Sequence, residues 1–154
     1  MMTGRFFPRR NSVAACAAAI IGAFHAHSTF AQEANACPVD GCQVHFVSVE
    51  KEGEELKVTF QANYKPDMSK NHLHVWWGDN YDVKQVSNNA ETVYGVKQGS
   101  WHPTDEYPVY VTKAEASTMK RESATHLCVS AGDRNHDIID PALFECRSVA
   151  DLLE

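Results

Sequence analysis

Asn71-His72-Leu73-His74-Val75-Trp76-Trp77-Gly78-Asp79-Asn80 is the stretch that decides the fold. Successive side chains of a β-strand point to opposite faces, so Leu73, Val75 and Trp77 share one face and His72, His74 and Trp76 the other. The first set is apolar and suits a core. The second places two imidazoles on one side of the strand, about 6.6 Å apart along it, close enough to grip one metal ion. Gly78-Asp79-Asn80 then ends the strand in a turn.

Working outward, residues 43–50 and 56–64 read as strands joined by a hairpin turn at 51–55. Leu56, Val58, Phe60, Ala62 and Tyr64 alternate with Lys57, Thr59, Gln61 and Asn63, the pattern of an antiparallel strand with one face buried. Beyond Asn80, residues 82–86 and 91–96 are expected as short strands, 99–103 as an irregular loop and 107–112 as another strand. Thr112 and Glu115 fit a capping box, which predicts a short helix over 113–121. Residues 125–131 return to strand with Leu127, Val129 and Ala131 on one face; 132–141 form a polar loop, and 143–149 a final strand. Seven or eight short strands with at most one small helix predict an all-β fold. The expected architecture is an antiparallel β-sandwich of immunoglobulin-like topology, with a jelly roll or small barrel as alternatives.

Residues 1–31 read as an export signal. Arg5, Arg9 and Arg10 form a positive start, residues 13–24 an apolar run, and Thr29-Phe30-Ala31 a small-x-small cleavage site. The apolar run is too short to span a membrane. Residues 32–154 then form a single domain, large enough for one hydrophobic core. With the three arginines removed, 11 basic residues face 20 acidic ones, a net charge of −9. Such a domain, with no basic stripe, does not suit nucleic acid or an anionic membrane.

Cys16 leaves with the signal, so Cys37, Cys42, Cys128 and Cys146 remain. Four cysteines in an exported chain predict two disulfides. Local pairing, Cys37 with Cys42 and Cys128 with Cys146, is favoured; Cys37–Cys146 with Cys42–Cys128 is the alternative.

A second informative run is Gly132-Asp133-Arg134-Asn135-His136-Asp137. Its alternating Asp133, Asn135 and Asp137 are reminiscent of a calcium loop, but Ile138 and Phe144 stand where such a loop needs Gly and a bidentate Glu, so calcium is not expected. If the strands carrying His74 and Leu127 are antiparallel neighbours, His72 lies beside the 132–136 loop. His126 then lies at the far end, about 13 Å or more from His74. The expected cluster is His72, His74 and His136, with Asp133 as a ligand or as a partner orienting an imidazole. Such a donor set suits copper or zinc. His45, His102 and His126 are expected as surface or turn residues.

The two runs together resemble a family of small secreted bacterial domains. That family pairs histidines on an early strand with a late Leu-x-Leu-x-x-Gly/Ala-Asp-x-Asn-His segment followed by proline. The matching residues are His72, His74, Leu127, Val129, Gly132, Asp133, Asn135, His136 and Pro141. The chain differs in its His-Leu-His spacing and its four cysteines. The resemblance implies a β-sandwich and no particular activity. His72-Leu73-His74-Val75 followed by Gly78-Asp79 is also similar to the His-Val-His-x-Phe-Gly-Asp region of copper–zinc superoxide dismutases. The gap here is one residue longer, and that enzyme's bridging histidine and zinc loop have no counterpart.

Catalytic patterns are sparse. No Gly-x-Ser-x-Gly elbow is present, and the adjacent Asp105 and Glu106 would point to opposite faces of a strand. These residues favour an exported, non-catalytic domain that binds copper or zinc. The alternative is a partner- or glycan-binding module using exposed Trp76, Trp101 and tyrosines, and a metalloenzyme with an open metal position is the third. Export predicts a mature protein beginning at Gln32; mass spectrometry of the secreted or periplasmic product tests this, and an intact Met1 terminus would refute it.

Overall fold

The alternation along residues 56–64 folds as its pattern demands: Leu56, Val58, Phe60 and Tyr64 are buried while Lys57, Thr59 and Gln61 reach towards solvent. The computed structural model describes residues 35–154, and the expected export segment lies outside them. Among the described residues seven strands are formed: β1 (Val44–Glu52), β2 (Glu55–Ala62), β3 (His72–Trp77), β4 (His102–Thr104), β5 (Val109–Val111), β6 (His126–Gly132) and β7 (Phe144–Ser148). They make two sheets, ordered β1-β2-β5 and β4-β3-β6-β7, and every pairing is antiparallel. The expected two-sheet, all-β architecture is therefore present.

The core lies between the sheets. Val44, Phe46, Leu56, Val58, Phe60 and Tyr110 of the first sheet meet Leu73, Val75, Trp77, Leu127, Val129 and Ala131 of the second. Trp77 also donates its indole N–H to the Ser117 carbonyl, so this core aromatic has no stranded donor.

Three expectations are corrected. Residues 82–86 are turns and Ala90–Tyr94 is a single π-helical turn, so neither segment is a strand. They act instead as a cover: Val83, Val86 and Ala90 are buried, and Val83 and Val86 pack with Trp76 over the outer face of β3. The helix expected over 113–121 is two 3-10 turns, Ala114–Ala116 and Thr118–Lys120. Its proposed cap, Thr112, accepts from the Leu56 amide and donates to Glu55, which ties the hydroxyl to the sheet and not to a helix start. Finally, the segment expected as a loop at 99–103 contributes His102–Thr104 as an edge strand paired with Leu73–Val75.

The cysteines pair locally, Cys37 with Cys42 and Cys128 with Cys146. The second bridge joins directly opposed residues of β6 and β7. It needs room at Gly78, where a Cβ would lie 2.2 Å from Cys128 Sγ. Among the described residues no helix is long and apolar enough to cross a membrane.

Candidate metal centre

β3 and β6 are antiparallel neighbours in the register that places His72 opposite Gly132 and His74 opposite Ser130. The loop leaving β6 therefore rises beside His72, and His136 turns back over it. Its shape comes from Asp133, whose Oδ1 accepts from the amides of Asn135 and Asp137 at 2.8 and 3.0 Å. This Asx turn drives His136 to φ 61°, a left-handed conformation that costs a residue with a Cβ on the order of 1 kcal/mol. The 87–89 segment then clamps the loop: Asn88 N–H donates to the His136 carbonyl and Asn89 N–H to Asp137 Oδ1.

Three ring nitrogens converge as a result. His72 Nε2 lies 3.2 Å from His74 Nε2 and 3.0 Å from His136 Nδ1, and all three lie within 4.8 Å of one another. Donors bound to one tetrahedral ion at bonds of about 2.0–2.1 Å are separated by about 3.3 Å. His72 and His74 are fully buried and His136 partly so.

The protons on these rings are constrained. The Val86 carbonyl, 2.8 Å from His74 Nδ1, can only accept, so that nitrogen carries the hydrogen and Nε2 presents a lone pair. His72 Nδ1 is buried with no partner at hydrogen-bonding geometry, although the Lys70 backbone lies near enough to favour the protonated ring. If the His72 hydrogen sits on Nδ1, the lone pairs of His72 and His74 face each other. If it sits on Nε2, Nδ1 is a buried acceptor without a donor. Either neutral arrangement leaves one buried nitrogen unsatisfied, and a cation among the three removes the conflict.

Full protonation is not a way out. Burial, reinforced by the neighbouring His136, pushes His72 down to about 4, and burial pushes His74 down to about 3. Both rings stay neutral at ordinary pH, the state that ligates a metal.

The expected residues divide clearly. His72, His74 and His136 come together. Asp133 spends Oδ1 on backbone amides and lies outside the cluster, though its charge favours protonation of His72, so it organises the loop and sets the local field. The same bonds explain the calcium-like spacing, since Asp133 and Asp137 both hold backbone. Trp76 is 1% exposed and donates to the Tyr81 carbonyl, which removes it from any exposed aromatic platform. Trp101 is half-buried and stacks on the His74 ring with centroids 5.2 Å apart. His126 pairs with Asp79 at the other end of β6, His45 with Glu145 on the surface, and His102 contacts Tyr110 Oη.

Two contributors escaped the sequence pattern. One is the Val86 carbonyl, a backbone atom that side-chain spacing does not reveal. The other is Gly132: a Cβ there would lie 2.2 Å from His74 Nε2, so the missing side chain is the space the imidazole occupies. A glycine opposite a histidine pair was the signal available. No protein-family model, no curated protein and no solved structure matches the chain. Fold and site define a two-sheet β-protein with a three-histidine cluster on the covered outer face of one sheet.

Two outcomes follow from this geometry. Gly132→Ala should cost about 1–3 kcal/mol by overpacking against His74 in urea denaturation, and clearly less in a His74→Ala background, where the clash is gone; equal costs in both would refute the contact. The second concerns pH, with chelator present. Above about 6.5 an unfolded imidazole is neutral, so folded and unfolded states agree and stability is whole. As pH falls from 6.5 towards 4, the unfolded chain takes up protons that the buried rings refuse, and stability is lost. Each tenfold difference in proton affinity is worth about 1.4 kcal/mol, so a loss of about a few kcal/mol is expected. An unfolding free energy unchanged across that range would exclude a buried neutral pair.

Proposed function

We propose that this chain is an exported, non-catalytic domain that binds a transition-metal ion, copper or zinc, through His72 Nε2, His74 Nε2 and His136 Nδ1. The observation that carries this is the convergence of three imidazole nitrogens whose neutral forms cannot all be satisfied by hydrogen bonds with one another. Imidazole donors suit copper and zinc and are poor ligands for calcium or magnesium. The His74 Nδ1–H bond to the Val86 carbonyl is the kind of support that fixes a ligand's tautomer and orientation. Export rests on the sequence of residues 1–31, and two disulfides suit an oxidising compartment. Kinship with the small secreted bacterial family is part of the same proposal and rests on the two histidine runs. Burial of Trp76 leaves the rival aromatic binding surface with Trp101 as its one tryptophan, and Trp101 is stacked on His74.

Titration of the mature protein with copper and zinc, by calorimetry with metal analysis after dialysis, tests the site. Wild type should bind one ion. His74→Ala should weaken binding by more than the roughly 10–100-fold typical of losing an outer-shell partner, and His126→Ala should match wild type. Because burial already holds His72 and His74 neutral, proton competition at these two residues should set in only near pH 4, well below the usual 6.5. Identical titrations for wild type and His74→Ala would reduce the cluster to a polar patch in the core.

A further inference from the structure

The metal reading leaves one side of the ion undescribed. Three imidazoles account for three positions, and a four-coordinate ion keeps a fourth for a ligand from outside when the protein provides none. His72 and His74 are walled in, whereas His136 borders a cavity of about 260 Å³ that it lines with Asn88, Gly99, Ser100, Trp101 and Pro103. The cavity meets the cluster at His136, and Trp101, which also lines it, stacks on His74 and separates that ring from it.

Its lining contains no carboxylate. The polar side chains in it are largely spent: Asn88 donates to the Asn135 carbonyl and accepts from Gln98, and Ser100 donates to Glu115. Trp101 differs. Its Nε1–H is buried and has no acceptor. A buried donor without a partner is costly, and an acceptor supplied by a bound molecule would relieve the cost.

Charge selects the kind of molecule. Three neutral imidazoles leave the full charge of a divalent ion uncompensated in a site that excludes most water, and Asp133 is tied to its own loop. A small anion at the fourth position lowers that charge at the point where it is concentrated.

Resting on the metal proposal above, we propose that the cavity beside Trp101 and His136 is the entry to an open metal position and takes a small monoanion, bound to the ion and accepting a hydrogen bond from Trp101 Nε1–H. Trp101 thus serves as the specificity-determining donor as well as the cover of His74.

Azide is the probe. The mature protein is loaded with copper(II), stoichiometry and the copper spin-resonance spectrum are recorded, and azide is titrated at constant ionic strength. Saturable growth of an azide-to-copper charge-transfer band with a changed spin-resonance spectrum is expected. Trp101→Phe keeps an aromatic ring over His74 and removes the N–H. It should bind copper as wild type does but azide about tenfold or more weakly, the effect of losing one hydrogen bond to a charged acceptor. Copper bound with no response to azide overturns the open position and leaves the three-histidine site standing. Equal azide affinity in wild type and Trp101→Phe overturns the donor role of the indole. Failure of wild type to bind copper overturns this inference, and failure to bind zinc as well overturns the metal reading itself.

Discussion

The hydrogen bond from His74 Nδ1–H to the Val86 carbonyl, 2.8 Å long, is the contact on which the site depends. It joins the strand that carries the histidines to the segment that covers them. Around it, Val83 and Val86 pack on Trp76, and Ser87 Oγ accepts from the Ile138 amide, so cover, strand and late loop are held together. Removing the cover would return the outer face of β3 to water, where two histidines need no special account. With it in place, all six residues of β3 are buried, and every polar atom there requires a partner.

Much of the fold was legible because period-two patterning survives wherever one face of a strand is wet. β2 is the clear case, its Leu56, Val58 and Phe60 alternating with polar residues. The β3–β6 pairing was legible from the expected sandwich topology, and with it the meeting of His72 and His136 and the exclusion of His126. The cover was not legible. Residues 81–99 hold scattered apolar side chains with no period, and short apolar runs suit a strand and a packed loop equally well. The same gap produced the error over Trp76, whose alternation placed it outward correctly while nothing in sequence showed that the outer face was roofed. Thr112 failed differently: a capping box is a local signal, and the long-range partner Glu55 claimed its hydroxyl.

Asp133 shows how spacing and geometry divide a role. Its place next to the histidine loop suggested a ligand or an orienting partner for an imidazole. The structure gives it to the backbone, as the acceptor that forces the turn behind His136. Its influence on the rings is therefore indirect, through the direction His136 takes and through its field at His72. A substitution that keeps an acceptor oxygen, such as asparagine, preserves the turn; one that removes it releases His136.

The distribution of cost indicates that the cluster is more than a way to fill the outer face. Valine or isoleucine at positions 72 and 74 would extend the apolar cluster of Trp76, Val83, Val86 and Ile138 with no titratable group to bury. Instead the chain holds two imidazoles whose proton affinity burial has suppressed, one unsatisfied ring nitrogen in either neutral arrangement, a left-handed histidine and an indole N–H without an acceptor. Each disfavours the fold by an amount that ordinary packing would avoid. They do not lie at scattered places where drift would leave them but share one wall of one sheet, around one gap between three nitrogens. A cation in that gap would offset the nitrogen conflict directly, and an anion bound to such a cation would offer the acceptor the indole lacks. Local penalties that a single bound pair would relieve together are what distinguishes a site from a polar accident in a core.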